Sequence, residues 1–357
     1  MGKKRINIGI LLSQSGTYEA MSRASLAGVL QGVAEVNADD ALAFTFEPQL
    51  RDPKGDLAAY APQCRELLNL GGLRHIFGCI TSASRKEIIP ELERHDGTLW
   101  YPVPYEGFEA SEHVAYMHAC PNQHIVPLLT WALQALGKRG YLVGSNYVWG
   151  WEIARIAREY IQKAGGQVLG DRSVPLHQSH LPHILAEIDS LKPDFILNSM
   201  VGESSYQLMR DLAAHYGKGK GPKILSCNFT EAEIPKLGPA AEGLISVGPW
   251  FAPSPAASGN ALAERARQSV HELARLLQIV PEGERLKLSD LIKAAAQRGY
   301  RSALASDTLH ASLPVVIARL EGNVFRELKR FAPREADPYL SRHQEDSRPL
   351  PYLRVVS

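Results

Sequence analysis

The sequence predicts an α/β protein of two doubly wound α/β lobes with mainly parallel sheets, joined by a multi-strand hinge. Three observations predict it. Short apolar runs rich in β-branched residues alternate with helical patterns, as βαβ units require. The alternation breaks at Cys120-Pro121-Asn122-Gln123 and starts afresh, which gives two units of similar build. With 357 residues and 45% hydrophobic content, the chain has material for more than one core.

The elements follow in order. Residues 6–12 form the first strand, and Leu26, Val29, Leu30, Val33 and Val36 then fall on one helical face. A strand is expected at 44–50, a helix at 57–70, a strand at 75–80, a helix after Ser84, and strands at 98–103 and 114–118. The second lobe opens with an apolar helix at 125–136 and a strand at 140–144, followed by a helix striped by Ile153, Ile156, Ala157, Tyr160, Ile161 and Ala164. Strands at 168–174, 195–200 and 224–227 alternate with helices at 181–191 and 204–216. Residues 251–302 read as helical, entered through Ala252-Pro253-Ser254-Pro255. A hairpin of 313–320 and 324–331 turns at Glu321-Gly322-Asn323. The expected division is 1–121 plus about 252–305 for the N-terminal lobe, 122–251 plus about 306–340 for the C-terminal lobe, and a polar tail at 341–357.

Charge and composition exclude several classes. Lys and Arg number 39 against 38 Asp and Glu, so no extended basic face is implied and direct nucleic-acid binding is not expected. No apolar run is long enough to span a membrane. Cys64, Cys79, Cys120 and Cys227 are widely spaced, without a C-x-x-C pair, and read as free buried thiols. Five residues precede the first strand, which predicts a cytoplasmic protein, or a periplasmic one from which a leader has been removed. Walker A, G-x-G-x-x-G, G-x-S-x-G and H-E-x-x-H patterns are absent, so no enzyme, cofactor or metal is expected. His177, His180 and His183 are spaced by three, but Pro182 marks a helix start at the surface. Gly217-Lys218-Gly219-Lys220-Gly221 ends a helix, whereas phosphate loops open one. Cys79 has no base in its neighbourhood and reads as a small core residue.

Parallel sheets place binding loops at the carboxyl ends of their strands, and three such ends stand out. Ser82, in CITSASRKEIIPEL, either caps the following helix or, with Ser84 as the cap, is free to meet a ligand oxygen beside the helix-start amides. The stretch TLWYPVPYEGFEAS holds four aromatics stiffened by Pro102 and Pro104, and is either a pocket wall with Tyr101 and Tyr105 as its polar tips or inter-lobe packing. In GSNYVWGWEIAR, Tyr147 and Trp149 are the cleft candidates and Trp151 is expected to pack against the helix core.

Taken together, GCITSASRKEIIPELE, YPVPYEGFE, PNQ, VGSNYVWGWE and NSMVG resemble the type I periplasmic-binding-protein fold. The closer resemblance is to the branch of the amide-binding negative regulator of aliphatic amidase expression and the receptors for urea and short-chain amides. It implies a non-enzymatic sensor that closes its lobes on a small amide and regulates amidase or nitrilase genes through an RNA-binding antitermination protein. Self-association is allowed. The alternative is a receptor of an ABC transporter for urea, amides or branched-chain amino acids. By resemblance the ligand meets Ser82, Tyr101 and Tyr147, with Ile80, Thr81, Val103, Pro104 and Trp149 completing the walls. Ile80, Val103 and Trp149 depart from the branch pattern toward less polar or altered side chains, which implies a different ligand.

Overall fold

The computed structural model describes residues 2–254 and 259–342. Pro255 of the expected loop, and the tail beyond Arg342, lie outside the described residues. In chain order the first lobe contributes β1 (Lys4–Leu11), α1 (Glu19–Ala38), β2 (Phe44–Arg51), α2 (Tyr60–Leu68), β3 (His75–Gly78), α3 (Ser82–Arg94), β4 (Thr98–Tyr101) and β5 (Val114–Tyr116). Then come α4 (Ile125–Ala135), β6 (Arg139–Ser145), α5 (Val148–Lys163), β7 (Gln167–Val174), α6 (Pro182–Leu191), β8 (Phe195–Ser199), α7 (Glu203–Tyr216), β9 (Lys223–Ser226), α8 (Ile234–Leu237) and β10 (Ile245–Gly248). Helices α9 (Ala261–Ile279) and α10 (Leu288–Gln297) precede the hairpin of β11 (Leu313–Glu321) and β12 (Val324–Arg334).

The strands make two sheets, ordered β2-β1-β3-β4-β5 and β12-β11-β10-β9-β8-β6-β7. Every pairing is parallel except those of β11 with β10 and β12. The predicted fold class is therefore the observed one. The hairpin is present, with Gly322-Asn323 between its strands, and β3 ends two residues earlier than expected because Cys79 turns the backbone to φ +58°.

The chain returns to the first lobe through α9. Alanine-rich α9 lies against α1 over Gly28 and Gly32. A Cβ at Gly28 would come 2.0 Å from the Ala263 carbonyl oxygen, so this close approach requires glycine. Asn260 caps α9 by accepting from the Ala263 amide at 3.0 Å.

The PNQ motif holds the crossing segments together. The buried Gln123 amide donates to the carbonyls of Ala311 (3.0 Å) and Arg334 (2.9 Å). Asn122 donates to Glu335 O at 2.9 Å and accepts from the Asp337 amide at 2.9 Å. Three passes of the chain are thus fastened by two side chains, which leaves none of these buried amide groups unpaired.

Candidate functional site

The carboxyl end of β3 leads into α3, and Thr81 settles the local geometry. Its hydroxyl accepts from the Ser84 amide at 3.1 Å, while Ser84 Oγ accepts from the Thr81 amide at 3.2 Å, a reciprocal capping box. The cap is thus Thr81, where the sequence reading weighed only Ser82 and Ser84. Freed from capping, the Ser82 hydroxyl donates to Glu106 Oε2. Its proton is committed there, which leaves the Ser82 Oγ lone pairs and the first amides of α3 as the hydrogen-bonding groups of this helix start.

Behind Ser82 lies a buried ionic network. Arg85, one turn along α3, is 0% exposed and donates to Glu106 Oε1 at 2.9 Å and Glu109 Oε1 at 2.8 Å. Its guanidinium stands 4.9 Å from the centre of the Tyr101 ring and 5.1 Å from that of Tyr105. Burial opposes its charge, but Glu106, Tyr101 and Glu109 outweigh that and hold its pKa above the ordinary arginine value. Burial pulls Glu109 upward, yet Arg85 and Lys86 win and its pKa falls to about 2. The Tyr116 hydroxyl also donates to Glu109, at 2.8 Å, and Tyr105 hydrogen-bonds His310 Nε2.

The stretch Thr98–Ser111 accordingly divides in two. Trp100, Tyr101, Val103 and Tyr105 are buried, and the Tyr101 hydroxyl donates to the Ile80 carbonyl at 3.3 Å. Burial raises the Tyr101 hydroxyl pKa well above its usual value, so it stays a neutral donor. Ile80 and Pro104 are buried beside it. Phe108, by contrast, is exposed and carries Arg155 of the second lobe 4.5 Å above its ring.

On the facing wall Tyr147 is the N-cap residue of α5 and is half-buried. Burial raises its hydroxyl pKa, and the next contributions come from Tyr18, Tyr101 and Glu106, all of the first lobe. Tyr147 packs against the second core, and Tyr18 packs against both cores. Neither tryptophan takes the place expected of it. Trp149 is 3% exposed, donates to the Ser199 carbonyl at 3.0 Å and packs in the second core, whereas Trp151 is 53% exposed. Thr17, after β1, meets the second lobe: its Oγ1 lies 2.7 Å from His177 Nδ1, and it abuts Gly202, which has φ +65°.

Sequence reasoning passed over Glu106, Arg85 and Tyr18. A signal for the first two existed: Arg85 stands three residues after Ser82, and Glu106 and Glu109 repeat that spacing in the following loop. Among the described residues no group of three His, Cys, Asp or Glu could hold a metal. Burial raises the Cys79 thiol pKa far above its usual value, which keeps it protonated and inert. No helix among the described residues is long and apolar enough to cross a membrane.

Comparison with known proteins bears on this cleft. A family profile described as "Periplasmic binding protein domain" matches residues 6–325. A solute-binding protein of an ABC transporter from R. palustris, in complex with 4-hydroxybenzoate, superposes with TM-score 0.79 at 18% identity, covering 93% of this chain and 98% of that one. The substrate-binding protein of a branched-chain amino acid transporter from Streptococcus pneumoniae, in complex with isoleucine, gives TM-score 0.77 at 14% identity, covering 93% and 100%. A periplasmic binding protein from Burkholderia mallei gives 0.77 at 15%, covering 92% and 94%. At these identities the structures establish the fold. The family profile points to the periplasm, and the expectation of a cytoplasmic protein is corrected accordingly; the residues before the first strand carry no weight against it.

Proposed function

The chain belongs to the periplasmic-binding-protein family, and from that premise we propose that it is the periplasmic solute-binding receptor of an ABC transporter, holding a small polar solute between its lobes without chemical change. The observation that supports the reading is the start of α3, where Glu106 fixes the Ser82 hydroxyl and the Tyr101 hydroxyl is held at the Ile80 carbonyl; in this reading Tyr147 of the second lobe faces them. Ser82 Oγ and the α3 amides would take complementary edges of the solute, Tyr147 would close on it from the second lobe, and Ile80, Thr81, Val103 and Pro104 would line the first-lobe side. Trp149 would support Tyr147 from below. Closure signals to a partner only if the solute binds the closed state better than the open one.

The neighbours with benzoates and isoleucine support a ligand of that size. The regulator reading, with its antitermination partner, draws no support from these neighbours, which are transporter receptors. Thermal-shift screening of benzoates, branched-chain amino acids, urea and small amides, repeated on Ser82→Ala and Tyr101→Phe, tests the proposal. A hit that stabilises both variants as much as the wild type would remove these residues from the site.

A further inference from the structure

Two contacts join the lobes outside the walls assigned above. In the first, Thr17 Oγ1 lies 2.7 Å from His177 Nδ1, and Thr17 sits so close on Gly202 that a Cβ there would come 2.8 Å from the Thr17 carbonyl oxygen. Tyr18, the next residue, packs against both cores, so the lobes meet at this point. In the second, the Arg155 guanidinium of α5 stands 4.5 Å from the centre of the Phe108 ring. Glu152 and Glu159 accept from Arg155 at 2.9 and 2.8 Å and hold it in place.

The backbone is shaped for both contacts. His177 has φ +71° and Phe108 has φ +57°, left-handed conformations that are uncommon outside glycine and costly for a bulky residue. The Phe108 amide donates to the Pro338 carbonyl at 2.9 Å, which keeps the turn, and the ring is left 39% exposed instead of entering the first core. Its cation is supplied by the other lobe.

The sheet order places these contacts. Thr17 follows β1, Ser82 follows β3 and Phe108 follows β4, and the strands run in the order β1-β3-β4. The strand leading to Ser82 is therefore flanked by the two strands whose loops reach the second lobe. There they meet His177, after β7, and Arg155, on the helix between β6 and β7.

We infer that Thr17–His177 and Phe108–Arg155 form a two-point latch that engages only when the lobes are shut, and that it makes the receptor selective for solutes small enough to let it engage. The inference rests on the receptor reading. A solute that fits inside the shut cleft gains the latch in addition to its own contacts, whereas one that props the lobes apart gains only the latter.

The full chain carrying Thr17→Cys and His177→Cys tests the latch without any ligand, because the four native thiols are buried. Oxidised glutathione should join the two positions by a disulfide, read by mass spectrometry, and adding Arg155→Gln should slow its formation roughly two- to fivefold by releasing the second point. Absence of the disulfide, or a rate indifferent to Arg155→Gln, overturns the latch. Calorimetry with benzoate against 4-phenylbenzoate, and isoleucine against tryptophan, tests the selectivity. The wild type should favour the smaller member of whichever pair binds. His177→Gly, which suits the left-handed backbone, and Arg155→Gln should each weaken that member roughly two- to tenfold and leave the larger unchanged. Equal loss for both sizes, or no loss for either, overturns the latch as the source of selectivity and leaves the receptor standing. If none of the four compounds binds, the receptor reading loses its support and the cross-link alone decides the latch.

Discussion

Replacing Arg85 by methionine tests the buried network most directly. The substitution keeps much of the aliphatic stem but strands Glu106, 1% exposed, and removes two of the donors that hold Glu109. Breaking a fully buried ion pair from one side costs about 3–5 kcal/mol, because the remaining carboxylate keeps its desolvation penalty. For a chain of this length unfolding as one unit, that corresponds to a fall in Tm of roughly 5 °C. Urea denaturation and calorimetry measure both quantities. Adding Glu106→Gln to Arg85→Met should recover about 1–2 kcal/mol, since the stranded charge is gone, whereas Glu106→Gln alone should destabilise. A loss below about 1 kcal/mol in Arg85→Met, or no recovery in the double variant, would refute the assignment of this network as a mutually dependent unit.

Three further predictions address other parts of the molecule. Glu233 is 1% exposed, and burial raises its pKa from 4.5 to about 7. A carboxyl raised in the folded state stabilises fully below its unfolded pKa, so stability should fall by about 3 kcal/mol between pH 4.5 and 7 and then level off. Urea melts across that range should show the slope, and Glu233→Gln should abolish this contribution. Thr81→Ala removes the α3 cap and should cost about 1 kcal/mol in the same assay, with Thr81→Ser close to wild type. Gly202→Ala places a Cβ 2.3 Å from Thr17 Cγ2 at φ +65°, so it should hold the lobes apart and weaken any ligand found in the screen at least tenfold; small-angle scattering of the ligand-free variant should give a larger radius of gyration.

The strand and helix alternation was legible because a period of two or 3.6 records which face is buried, and β1 with α1 shows it plainly. The strand-end position of Ser82, Tyr101 and Tyr147 follows from the same pattern. The two tryptophans beside Gly150 were not legible. Both lie in the first turn of α5, where the periodicity has too few turns to say which of them points inward, and the Ser199 carbonyl chooses Trp149. Glu106 was passed over because a glutamate in a loop is ordinarily solvated. Only the fold brings it to an arginine 21 positions earlier. The identity of the cap was local chemistry, but Thr81, Ser82 and Ser84 all satisfy the composition rule, and backbone geometry decides among them.

The seating of α9 on α1 bears on how the protein is made. Helix α1 is complete by residue 38, yet the surface that Gly28 and Gly32 present to Ala263 and Val270 stays bare until more than two hundred further residues have been synthesised. The second sheet waits longer still, since β11 and β12 are among the last elements of the chain. Neither half can finish folding as it emerges, and a nascent chain stopped near residue 250 would expose the apolar faces of both. Such long-range closure makes folding slow and leaves the growing chain dependent on whatever keeps its unfinished surfaces apart.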